Sequence, residues 1–91
     1  MSQITTAEAL AMMAECFMET PENLRSDMLR SALPGWDSMG ALMLIAELDE
    51  RFELELSAED SRQMTQVADV LAFLDKHGHL AKASDRDAPN A

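Results

Sequence analysis

The chain has 91 residues, enough for one compact domain and not two. Hydrophobic residues make up 47% of it but aromatics only 4%, so the interior has to be built from Leu, Ile, Val, Ala and eight Met, a composition that favours helices over sheets. Seventeen acids against seven bases give a formal charge of −10, which disfavours binding to DNA, RNA and anionic lipid and suits partners with basic patches.

The first element is signalled by Thr5 and Glu8 at capping-box spacing, followed by Leu10, Met13, Ala14 and Phe17 at i, i+3, i+4 and i+7. A helix is predicted from about Thr6 to Met18, ended by Pro21, because the residue before a proline leaves the helical region. Cys16 lies inside this apolar pattern, where a thiol serves as a small buried hydrophobe rather than a nucleophile. As the one cysteine it has no internal disulfide partner. With no basic-then-apolar leader and no apolar run of about 18 residues, the chain reads as a soluble cytosolic protein. A long connection follows to Pro34-Gly35, with room for a short helical turn near Asp27 to Ala32.

A second helix is predicted from Asp37 or Ser38 to about Phe52, roughly 22 Å long. Phe52 to Leu56 alternates like a strand but has no second strand to pair with, and reads as an extended loop. Ser57 or Ala58 through Met64 can hold a short third helix. Thr65 is placed as N-cap of a last helix with Val67, Val70, Leu71 and Leu74 on one face and Gly78 as its stop. These elements make an all-α domain, a small four-helix bundle of three main helices plus a short third, over residues 1–79. Residues 80–91 are polar and aperiodic and read as a disordered tail.

On the second helix, a step of 100° per residue sorts the apolar side chains into two stripes. Ala41, Leu44, Ile45, Leu48 and Phe52 form a core-facing one. Met39, Leu42, Met43 and Ala46 form another that turns acidic further down at Asp49, Glu50 and Glu53. Gly40, Glu47 and Arg51 mark the solvated side. The second stripe is either buried by flanking helices or a docking surface, and a mixture is expected in which Leu42 points largely inward and Met43 outward.

At the head of this helix Asp37 is placed as N-cap, accepting from the amides of Met39 and Gly40. Ser38 then falls at the first helical position, with its hydroxyl turned away from the core. A phosphate attached there sits close to unpaired amides and the positive end of the dipole. The plainer role of Asp37-Ser38 is simply to start the helix, and for Trp36 simply to pack against the loop.

From Thr5 to Gly78 the chain resembles the acyl carrier proteins, small acidic four-helix domains whose serine bears a phosphopantetheine arm. The likeness rests on Gly35-Trp36-Asp37-Ser38-Met39, where the family usually has Asp-Ser-Leu, and on the helix Leu42-Met43-Leu44-Ile45-Ala46-Glu47-Leu48-Asp49-Glu50-Arg51-Phe52. The acidic loop from Glu53 to Asp60 and the stretch Met64 to Leu74 continue it. The resemblance implies that Ser38 is the attachment point, that coenzyme A donates the arm, that Asp37 assists the phosphopantetheinyl transferase, and that Met39 is the hydrophobic contact beside it. It further implies a monomer that is no enzyme itself, holds an acyl or aminoacyl group as a thioester, and docks to a loading enzyme and downstream transferases or synthases. Two departures redistribute the docking charge: Met43 stands where fatty-acid carriers commonly have an acid, and Glu47 where they have an apolar residue. Both lean toward a specialised biosynthetic pathway. Nine acids and two bases lie between Asp37 and Asp69, a net −7 where partners approach.

No nucleophile, base and oxyanion site have recognisable spacing, and His77-Gly78-His79 lacks the further ligands of a metal site. No calcium-binding loop pattern occurs. The reading that competes from another class is an acidic helical adaptor with Ser38 unmodified.

Overall fold

In a computed structural model, residues 3–81 are described. Helix α1 spans Thr6–Phe17, α2 Ser38–Phe52, α3 Ala58–Gln63 and α4 Val67–Lys76, and together they form a small all-α bundle. Among the described residues no helix is long and apolar enough to cross a membrane.

Each helix begins where a side chain satisfies amides that have no intrahelical partner. The Thr5 hydroxyl accepts from the Glu8 amide at 3.0 Å while the Glu8 carboxylate accepts from the Thr5 amide at 2.9 Å, the reciprocal pair expected at the start of α1. Ser57 caps α3 by accepting from the Asp60 amide at 3.0 Å. Helix α4 departs from expectation: its N-cap is Gln66, not Thr65. The Asp69 carboxylate there reaches back to the amides of both residues, at 2.9 and 3.2 Å. Helix α1 likewise ends before the proline can act. Met18 turns left-handed at φ 59°, and Pro21 instead opens a single 3-10 turn over Pro21–Asn23. Gly78 stands after α4 at φ 78°, a conformation that suits a residue without Cβ.

The core is built from Met12, Met13 and Phe17 of α1, Leu44 and Leu48 of α2, Leu56 of the extended loop, and Val67, Val70 and Leu74 of α4. Phe52 to Leu56 alternates because Phe52, Leu54 and Leu56 are buried along the loop, with no strand partner among the described residues.

Two backbone clasps fix the connections. In one, the Arg30 amide donates to the Thr65 carbonyl at 2.8 Å and the Val67 amide to the Met28 carbonyl at 2.9 Å, tying the long α1–α2 connection to the start of α4. The other joins the two ends of the domain: Ile4 donates to His79 at 2.9 Å and Ala81 donates to Ile4 at 2.7 Å. Leu80 packs against the core there, so residues 80 and 81, assigned by pattern to the tail, belong to the folded domain. A hydrogen-bond partner some 75 residues away leaves no mark on local periodicity. The rest of the expected tail lies outside the described residues.

Candidate functional site

The head of α2 is set by contact with the end of α1. A Cβ on Gly35 would run into the carbonyl oxygen of Phe17, and a Cβ on Gly40 into the carbonyl oxygen of Gly35. Both glycines are therefore required by close backbone approach. Gly40, expected on the solvated side, is buried for this reason. Of the other two residues assigned to that side, Glu47 is half-buried and accepts from Arg51 at 2.9 Å.

Trp36 fills the space beside the glycines. Its ring is buried, stacked on Phe17 with centroids 4.8 Å apart and planes 14° from parallel. Its indole N–H is enclosed without a partner among the described residues, a group whose burial costs about 1–3 kcal/mol. Arg30, half-buried, lies with its guanidinium 5.0 Å from the indole centroid. Its Nε donates to the Trp36 carbonyl at 3.1 Å, and its Nη1 to the carbonyls of Ser61 and Met64 at 3.3 and 3.4 Å. Arg30 thus joins the α1–α2 connection, the start of α2 and the end of α3.

Asp37 is the N-cap of α2. Its carboxylate accepts from the Gly40 amide at 2.9 Å, and not from Met39 as well. The Ala41 amide donates to the Asp37 carbonyl at 2.9 Å, which leaves the amides of Ser38 and Met39 without intrahelical partners. Ser38 is the first residue of the helix and is exposed.

Along α2 the exposed face begins at Met39, 67% exposed, and continues through Leu42 at 58% and Met43 at 51% to Ala46, Asp49, Glu50 and Glu53, all exposed. These residues, expected to form one stripe, do share a face. Leu42 is the correction, since it points out rather than in. Helix α3 has only six residues and offers Ala58 and Ser61 to its neighbour, too little bulk to cover Leu42. What remains is a groove of about 250 Å³ between α2 and α3, lined by Ser38, Leu42, Ile45 and Ala58 with Arg30 and Arg62. Ile45, assigned to the core stripe, is only half-buried as a result. Glu53 closes the helix in a left-handed conformation, φ 52°.

The remaining candidate groups stand elsewhere. Cys16 is buried in α1. Burial, aided by the Glu47 and Glu15 carboxylates, pushes its thiol up from 9.0 to about 11. We expect iodoacetamide at pH 8 to alkylate it about a hundredfold more slowly in the native protein than in urea, read by intact mass; equal rates would place the thiol in solvent. Because the folded thiol holds its proton more tightly than the unfolded one, this group's contribution to stability falls as pH rises from 9 toward 11. His77 packs against Phe73 and His79 against Phe52, with ring centroids 4.7 and 4.8 Å apart. Among the described residues, no three His, Cys, Asp or Glu side chains are grouped to hold a metal ion.

No known protein-family model matches this chain. The site is therefore characterised by its own geometry: an exposed hydroxyl at a helix head, an apolar-then-acidic face leading away from it, and a groove beside it whose lining includes Arg30 and Arg62. Sequence reasoning missed Arg30 in this set. Its bonded carbonyls are 6, 31 and 34 residues away, so no local spacing announces it.

Proposed function

We propose that this chain is a carrier protein whose Ser38 bears a phosphopantetheine arm donated by coenzyme A, and that it presents an acyl or aminoacyl group to partner enzymes of a specialised biosynthetic pathway. The observation that carries the reading is the placement of Ser38: exposed, at the first position of a 15-residue helix, beside a capping carboxylate and two amides that have no intrahelical partner. When attached, the group supplies a thiol on a long flexible arm, on which cargo rides as a thioester.

Everything else asked of the chain is positioning. In the transfer, the Ser38 oxygen would replace the bridging oxygen of coenzyme A's phosphoanhydride at phosphorus, adenosine 3′,5′-bisphosphate would leave, and the hydroxyl proton would pass to a base of the transferase. The helix head suits the resulting phosphodiester, because unpaired N–H groups and the positive end of the dipole both favour an anion. The residues around Ser38 also fit such an arm: the adjoining groove has an apolar floor in Leu42, Ile45 and Ala58 and cationic walls in Arg30 and Arg62. Met39, Leu42 and Met43 give a transferase or loading enzyme an adaptable apolar contact, and Asp49, Glu50 and Glu53 steer basic-rimmed partners to it. Tethering raises the local concentration of cargo at whichever enzyme is docked, so each docking need be only weak and fast.

The exposed face could also dock a partner without any arm, and this favours the alternative of an acidic helical adaptor. Incubation with coenzyme A, magnesium and a broadly tolerant phosphopantetheinyl transferase separates the two. We expect intact-mass spectrometry to show one added phosphopantetheine, absent from Ser38→Ala. No gain, or equal gain in the variant, would leave the adaptor standing.

A further inference from the structure

The described part of the chain contains five Lys or Arg side chains: Arg25, Arg30, Arg51, Arg62 and Lys76. Two of them, Arg30 and Arg62, line the groove that begins at Ser38, although residues 37–69 carry a net −7. Their situations differ in a way that is chemically informative.

Arg30 is fixed. Carbonyl oxygens take its Nε and Nη1, Trp36 lies under its plane, and no carboxylate pairs with it among the described ion pairs. A half-buried cation answered by carbonyl dipoles and an aromatic face, with no carboxylate beside it, is incompletely compensated, and its Nη2 makes no hydrogen bond among the described residues. Arg62 is movable. Its one ion pair, with Glu59 at 3.3 Å, has both side chains about 70% exposed (70% and 71%), an arrangement that holds a side chain weakly. It can exchange Glu59 for a better-placed anion in the groove at little cost.

We propose that Arg30 and Arg62 form an anion site that holds the phosphodiester of the group on Ser38, with Arg30 as the preset half and Arg62 as the half that closes. This deepens the carrier reading and rests on Ser38 being the attachment point. It makes the two arginines positioning residues that draw the root of the arm toward the α2–α3 groove.

The test uses the full chain carrying the arm with a free thiol, so that the phosphodiester is the only new anion, and attachment is verified by mass in every sample. At low ionic strength, modification is expected to raise the Tm of the native chain by about 4 °C. Arg62→Gln is expected to lose at least half of that gain. About 0.5 M NaCl, where the Debye length is roughly 4 Å, is expected to reduce it in the native chain. Trp36, the one tryptophan, reports on Arg30 independently, and its emission is expected to change on modification. Arg30→Gln removes three carbonyl bonds and weakens the fold whatever its role, so Arg62→Gln decides the matter. A gain equal within about 1 °C in the native chain and Arg62→Gln would overturn the proposal, as would no gain at all, unchanged Trp36 emission, or a gain only when the thiol carries an anionic acyl group. A chain that takes up no arm overturns the carrier reading as well, and the mass measurement distinguishes that failure from the others.

Discussion

Gly40→Ala is expected to destabilise the domain by about 2 kcal/mol, whereas the same change at an open helical position stabilises by up to about 1 kcal/mol. The reversal of sign follows from what the added methyl meets. Its nearest neighbour is the carbonyl oxygen of Gly35, and Gly35 is itself held against the carbonyl of Phe17. Backbone presses on backbone at both steps, so no flexible side chain can swing aside. The Phe17 ring lies just beyond, 3.2 Å from the added carbon. The head of α2 must move off α1, and with it the Asp37 cap and Ser38. In thermal unfolding this amounts to a drop in Tm of roughly 10 °C for a domain of this size. A Tm equal to or above that of the native chain would show that α2 does not approach the α1–α2 connection so closely.

Phe17→Ala should have the larger effect, a loss of about 3–5 kcal/mol. Phe17 is 1% exposed and supports the site from below: its ring is the platform for Trp36, and Trp36 is in turn the platform for Arg30. Truncation opens a cavity and removes the aromatic stack, which is worth about 0.5–1.5 kcal/mol beyond its buried area. Small domains have only about 5–15 kcal/mol in total, so a large share of stability is lost. Urea denaturation followed by Trp36 emission gives the free energy directly. A loss under about 1.5 kcal/mol would mean that the stack contributes little and that neighbouring side chains collapse into the space.

Both effects concern contacts between residues far apart in sequence, and this marks the boundary of what could be read from the chain. The span of α2 was legible to within about a residue, because an acidic N-cap and a 3.6-residue apolar period are local signals carried within one or two turns. The shared face from Met39 to Glu53 follows from the same period, the exposure of Ser38 from its place at the first helical position, and the burial of Cys16 from the apolar run around it. The boundary shows at Leu42. Its position on the helix was correct, but its exposure depends on how much bulk α3 brings opposite it, and six residues with Ala58 and Ser61 on the facing side bring too little.

Composition, charge, the caps and the helical repeat by themselves determined an all-α acidic domain and put an accessible hydroxyl at the head of its longest helix. Tertiary structure alone decided that Gly35 and Gly40 are points of backbone contact, that Arg30 and Arg62 stand at the groove beside Ser38, and that Leu80 belongs to the fold. The reason is range. Periodicity and capping are encoded between residues three or four apart, while close packing and carbonyl–guanidinium bonds depend on which distant segments meet.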